Sequence, residues 1–361
     1  MSSNRFVLAA AAAVVVLAVV LVAIPLLTAD DEPSGSTSAR PSTASDGSDA
    51  PSATGELRPV RLLLGFRPDV QFAPFYLAQQ AGYFADAGLE VTIEHSDDVL
   101  RLVADGQAEF GVADATDLMI ARTAGIPATY VSTLYERFPV ALIGAPDVVP
   151  AEPSELAGLR IGTPGRFGSS WHALLAVLDA GGLTEDDVTI REYPAFNQAE
   201  GLLNGDVDLI TGFRANEPLQ LQARGTEVEL LTVDEIVPLP GPGVIVGDDL
   251  LAEDMELARR FARAVARAQE DIAADPQVGV RAAVEAVPAI GEDPETALAV
   301  LAATVETWSA DDGLAGATGA IAPEVWSSGY EVMRRLGFID GSVPVKEMYD
   351  ARVMGTAEPT V

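Results

Sequence analysis

The sequence predicts an α/β protein of two doubly wound lobes joined by two crossovers, preceded by an N-terminal transmembrane helix. Three observations carry that prediction. Short apolar runs alternate with stretches of helical periodicity in two successive series. Two Pro/Gly-rich breaks, over 145–153 and 238–243, bracket the second series. An unbroken apolar run occupies residues 6–27, and about 20 such residues cross a bilayer as a helix.

Arg5 precedes that run, and Asp30, Asp31 and Glu32 follow it, which places the short N-terminus in the cytoplasm and the rest outside. A cleavable signal has a shorter apolar stretch and small residues before its cut. The best cut, after Ala29, has Leu27 where a small residue is required. Residues 1–29 are therefore read as an uncleaved signal anchor, with a removed signal peptide as the alternative; either exports the body. Residues 30–57 are Ser, Thr, Ala, Pro, Gly and Asp with little to bury, so a disordered linker is expected. Such a tether keeps the body near a membrane partner.

Residues 58–146 form the first part of lobe 1. Strands are predicted over 60–65, 89–93, 109–113, 128–134 and 140–143, and helices over 73–87 (ending at Gly88), 97–105 and 115–124. Residues 147–237 form lobe 2, with strands over 159–162, 188–192, 207–211 and 228–231 and helices over 169–180, 198–204 and 217–223. Residues 238–361 return to lobe 1 and are mostly helical. A helix over 249–274 carries Arg259, Arg260, Arg263 and Arg267 among acids, the pattern of a solvated face.

Composition narrows the function. A net charge of -32, from 54 acidic against 22 basic residues, excludes nucleic acid, which demands clustered cations. The chain has no cysteine, so disulfides, thiolate metal sites, thiol nucleophiles and a lipid-bearing cysteine are excluded. Lys346 is its single lysine.

Ligands of doubly wound sheets lie beyond the carboxyl ends of strands, and four such loops stand out. The first, 65–76, offers Asp69, Gln71 and Phe72 for function, whereas Phe75 and Tyr76 read as core. In the second, 112–117, Asp114 and Thr116 either cap the following helix or meet a ligand. The third, 162–171, is rich in small residues and sets Ser169 and Ser170 at a helix start, where backbone N–H groups receive an oxyanion or carbonyl. It lacks the Gly-Lys-Ser/Thr of a phosphate loop. Trp171 there is core or ligand contact, and His172 reads as a surface or capped residue. The fourth, 212–218, pairs Asn216 with Glu217 ahead of Pro218, as an N-cap pair or as readers of a donor edge on an amino-heterocycle or imide. Distributed over both lobes, these loops describe a cleft for a small molecule.

The runs PDVQFAPFYLAQQAGYFADAGLEV, RIGTPGRFGSSWHALL and GFRANEP resemble a family of ABC-importer binding proteins. It includes binders of thiamine-pyrimidines, riboflavin, alkanesulfonates, taurine and nitrate, and the resemblance spans residue 57 to the C-terminal helices. It implies a type II periplasmic-binding-protein fold, a ligand held between lobes, and permease and ATPase subunits as partners. QFAPFY and NEP are most similar to the riboflavin and pyrimidine branch, which implies a flat nitrogen heterocycle. Phe72, Tyr135, Phe167 and Trp171 then become stacking candidates, and Asn216 and Glu217 edge readers. Asp69, Gln71, Asp114, Thr116, Ser169 and Ser170 would add hydrogen bonds.

The alternative cargo is a sulfonate, taurine or nitrate-like anion at the helix start over 165–170, helped by Arg67, Arg137 or Arg166. The family also contains a thiamine-pyrimidine synthase, which uses a pyridoxal-phosphate lysine, a histidine and a cysteine-rich iron-binding stretch. Here cysteine is absent, Lys346 lies near the C-terminus, and His95 and His172 are the only histidines, so neither cofactor nor catalysis is expected. A sensor or adhesin with the same cleft is a third reading, weakened by the five residues ahead of the apolar run.

Overall fold

A computed structural model describes residues 56–309 and 319–356. The expected anchor, and the linker as far as residue 55, lie outside the described residues. Among the described residues no helix is long and apolar enough to cross a membrane.

Strands β1 (Arg58–Leu64), β2 (Leu89–His95), β3 (Phe110–Ala113) and β4 (Ala128–Thr133) belong to a first sheet, ordered β2-β1-β3-β10-β4 with β10 (Gly243–Gly247) arriving from much later in the chain. The second sheet holds β5 (Val140–Gly144), β6 (Arg160–Thr163), β7 (Thr189–Glu192), β8 (Leu209–Phe213) and β9 (Glu229–Thr232) in the order β7-β6-β8-β5-β9. The two orders correspond position by position. β1 runs parallel to β2 and β3, and β6 parallel to β7 and β8. β10 and β5 run antiparallel to both of their neighbours. Helices cover both faces, so the inner strands are apolar throughout, as in VALIG and GVIVG, both fully buried.

The architecture matches the two-lobed expectation, with four local departures. β5, expected in lobe 1, lies in the second sheet, so the first crossover falls between Thr133 and Val140 rather than at the Pro-rich break after it. The break merely leads into β6. The region after 238, expected to be mostly helical, contributes β10 as an inner strand of the first sheet; a buried five-residue apolar run has no periodicity to identify it. The helix over 73–87 is two, Ala73–Gln80 and Tyr83–Asp86, parted at Gly82, whose φ of 79° is left-handed. The helix over 249–274 likewise divides at Asp254, whose carboxylate accepts the Leu257 N–H and starts Met255–Ala274.

The apolar side of Met255–Ala274 lies across the first sheet: Phe261 stacks on Phe110 at 3.8 Å between ring centroids and on Phe84 at 5.1 Å. Its arginines reach outward, Arg260 to the Ala87 carbonyl and Arg267 to Asp86. The tail does more than complete lobe 1. Helix Pro323–Arg335 puts Trp326 and Met333 into the lobe 1 core and Val332 into the lobe 2 core, and Arg335 pairs with Asp179.

Removing the central ring of the Phe84–Phe261–Phe110 stack leaves a cavity that flanking rings cannot fill. Phe261→Ala should therefore lower stability by about 3–5 kcal/mol in urea unfolding with an unchanged m-value. A loss below about 1 kcal/mol would show that the stack is dispensable.

Candidate functional site

A cleft of about 620 Å³ opens between the sheets. Lobe 1 lines it with the turn after β1 and the loop after β3, and lobe 2 with the loops after β6 and β8. Of the residues singled out in the sequence, Asp69, Gln71, Phe72, Asp114, Tyr135, Phe167, Ser169, Ser170, Asn216 and Glu217 line the cleft. Thr116 and Trp171 do not. Thr116 is fully buried and bonds to His172 Nδ1 at 3.0 Å. Trp171 is buried in the lobe 2 core with the Arg166 guanidinium over its ring. Both side chains are buried and face away from the cleft, although Asp117 and Ser170 beside them in the chain line it.

The loop after β1 is shaped by Asp69, whose carboxylate accepts the Gln71 N–H at 3.0 Å and starts the short helix Val70–Phe72. Gln71 Oε1 lies 3.5 Å from the Tyr135 hydroxyl. Tyr135, Phe75 and Trp308, all buried, form an apolar floor. Phe66, Phe167 and Phe196 form the rim.

Asp114 caps no helix of its own. Its Oδ2 accepts the Ser169 N–H at 3.2 Å, so the strand end of lobe 1 closes the helix start of lobe 2. The chain enters that helix at Gly168 with φ of 68°, and a side chain there would point at the Asp114 and Asp117 carboxylates. His172, expected as a surface or capped residue, is instead buried beside Thr116, with Asp117 3.7 Å from its Nδ1. In lobe 2, Glu217 accepts the Phe213 N–H at 2.7 Å and Gln198 Nε2 at 3.2 Å. Gln198 Nε2 also donates to the Thr211 carbonyl. Two acceptors thus fix the amide orientation and leave Gln198 Oε1, buried, without a partner among the described residues. Asn216 is engaged by Gln220 at 2.8 Å.

Burial makes this an unusual set of acids. It pushes Asp69 above the ordinary carboxylate range against the opposing Gln71 hydrogen bonds, and Asp114 upward against those of Ser169. Asp117 rises to about 7, by burial first and the Asp114 charge second. Glu217 also rises to about 7 by burial, with Asp69 across the cleft adding to the effect. Burial alone lowers His172 to about 4.

Sequence reasoning passed over Phe66, Phe196, Gln198, Gln269 and Trp308, all in the cleft wall. Gln269 had a usable signal: a polar residue on the apolar side of an amphipathic helix, here donating to the Leu134 carbonyl at 3.3 Å. Trp308, distant along the chain, had none.

Residues 69–278 match the family described as NMT1/THI5 like. The chain is 37% identical to riboflavin-binding protein RibY of Chloroflexus aurantiacus over 273 residues, 74% of this chain and 77% of that protein. It is 25% identical over 233 residues to the 4-amino-5-hydroxymethyl-2-methylpyrimidine phosphate synthase THI13 of Saccharomyces cerevisiae, covering 60% of this chain and 68% of that one. Among solved structures, the periplasmic aliphatic sulphonate binding protein SsuA of Escherichia coli superposes with a TM-score of 0.63 over 84% of this chain and 95% of its own. At 12% identity that likeness concerns the fold alone.

The acids leave a pH signature. A carboxyl raised from about 4 to about 7 keeps its proton in the folded state while the unfolded chain releases it, so its stabilisation is complete below about pH 4 and lost as pH rises through 7. His172 acts oppositely: its contribution is full above about 6.5 and is lost as pH falls through about 4. Asp117→Asn should match wild type in melting temperature near pH 4 and exceed it by pH 7.5. An equal difference at both pH values would place Asp117 in an unburied, ordinary environment.

Proposed function

The chain belongs to the NMT1/THI5-like family, and on that premise we propose that it is the extracytoplasmic solute-binding protein of an ABC importer. Its cargo is a flat nitrogen heterocycle, riboflavin or a thiamine-type pyrimidine, held between the lobes. The observation that carries this reading is the chemistry of the cleft wall. Buried aromatic rings form its floor, and the polar groups are mainly carboxyls and carboxamides: Asp69, Asp114, Asp117 and Glu217 with Gln71 and Gln198. Rings stack on a flat ligand, and raised carboxyls beside amides offer both donors and acceptors to a heterocycle edge. A volume of about 620 Å³ suits such a molecule.

The same wall disfavours an anion. Arg67 is the one guanidinium lining the cleft among the described residues. Arg137 pairs with Asp234, and Arg166 with Glu185 and Glu192. The synthase reading is disfavoured by the lining, which includes no lysine; Lys346 sits in the turn Val345–Glu347. Residues 1–29 act as the membrane anchor and residues 30–57 as the tether. The segments over 134–139 and 233–242 serve as the hinge between lobes, with hinge closure sealing the ligand inside.

A thermal-shift panel on full-length protein, stripped of carried ligand by unfolding and refolding, tests the cargo. Riboflavin, lumichrome or a hydroxymethyl-pyrimidine should raise the melting temperature; a shift with taurine or nitrate alone overturns the heterocycle. Both Glu217 oxygens accept N–H bonds, so Glu217→Gln sets an amide donor against Phe213 or Gln198. It should weaken riboflavin binding about tenfold or more by calorimetry, and undiminished affinity removes Glu217 from the site. N-terminal sequencing of protein from the native membrane should begin at Met1 or Ser2, and a start near Asp30 excludes the anchor.

A further inference from the structure

We propose that Phe66, Phe196 and Phe167 form an aromatic clasp that closes the cleft mouth, packs on the bound heterocycle and sets its residence time. Three separate observations meet at these rings. The first is their placement: Phe66 follows β1 of lobe 1, whereas Phe167 and Phe196 follow β6 and β7 of lobe 2. Phe66 meets Phe196 edge-on at 5.3 Å between centroids, and Phe167 meets Phe196 at 6.3 Å in the same geometry. All three line the cleft.

The second is exposure. Phe167 is 56% and Phe196 40% exposed, the two most exposed large hydrophobic residues described. Rings that served only the core would be covered like Phe75 or Trp308. These stand at the edge of a cavity whose floor is already aromatic, where a flat ligand would bury them.

The third is backbone strain. Phe196 has φ of 55°, the only non-glycine residue in the left-handed region among those described. A ring at such a position costs stability, and strained residues concentrate where a ligand is clamped. The local cause is the turn Tyr193-Pro194-Ala195-Phe196, closed by the Phe196 N–H on the Tyr193 carbonyl at 2.9 Å. It turns the chain back so that Phe196 stays at the mouth while Gln198, two residues on, goes into the buried wall. Across the cleft, His95 Nδ1 bonds to the Phe66 carbonyl at 2.5 Å and holds that half of the clasp to the end of β2.

The proposal rests on the cleft being the ligand site, so its test has one arm with ligand and one without. With riboflavin as probe, quenching of its fluorescence in stopped flow gives association and dissociation rates for the full-length chain. Phe196→Asn should speed dissociation about tenfold with association changed less than about threefold. Because Asn tolerates the left-handed region, relief of backbone strain offsets the lost ring contacts and its melting temperature should stay within about 5 °C of wild type, which separates loss of the clasp from loss of the fold. Phe196→Tyr should restore a dissociation rate within about twofold of wild type. A dissociation rate unchanged in Phe196→Asn overturns the clasp.

If wild type fails to bind riboflavin, the cargo reading falls and the second arm decides the clasp. In urea unfolding, the cycle Phe66→Ala, Phe196→Ala and the double variant should show about three- to tenfold coupling in the unfolding equilibrium constant. Strict additivity overturns it.

Discussion

β10 lies fully buried between β3 and β4, and β5 occupies the corresponding place between β8 and β9. Each is the strand beside a crossover, and each runs antiparallel to its neighbours. An inner strand cannot leave its sheet without exposing unpaired backbone groups on two neighbours, a cost of several hydrogen bonds at once. The chain is therefore tied to both lobes by strands that cannot yield, and the two segments between them run side by side, with the Leu134 N–H on the Pro242 carbonyl. That constraint points the carboxyl ends of the parallel strands of both sheets at one another, and the cleft follows from it.

Between those strand ends the lobes share polar groups rather than merely abutting. Asp114 accepts an N–H from the helix start of lobe 2, and His172 from lobe 2 bonds Thr116 of lobe 1. A carboxylate at a helix start gains from the aligned peptide dipoles, but burial raises its own cost of ionising, and the elevated Asp114, Asp117 and Glu217 record the balance. The packed cleft thus sets the site's chemistry as well as its shape, since burial raises Asp114 and brings Asp117 and Glu217 to about 7. The aromatic floor is fixed by the core; the rim depends on the lobes meeting.

Strand-end loops were legible because of where their polar residues fall: Asp69, Asp114 and Glu217 each stand just past an apolar strand, where a helix begins. The same local logic named Thr116 and Trp171, whose types suit a ligand but whose side chains are buried away from the cleft. It missed Phe196 because an aromatic residue after Tyr-Pro-Ala signals nothing until the turn's geometry is known, and Gln198 because its interest lies in an amide oriented by two acceptors from β8 and its loop.

Sequence alone determined the α/β class, the two-lobed plan and the acidic, cysteine-free chemistry, since each depends on composition or on periodicity within a few residues. Tertiary structure decided what depends on contacts distant in the chain. It put β5 in the second sheet and β10 in the first, because a short buried run is equally apolar wherever it pairs. It set Asp114 on Ser169 and Phe66 on Phe196, because only packed lobes bring those residues within reach. It also raised the acids, because desolvation is a property of the assembled cleft and of no residue by itself.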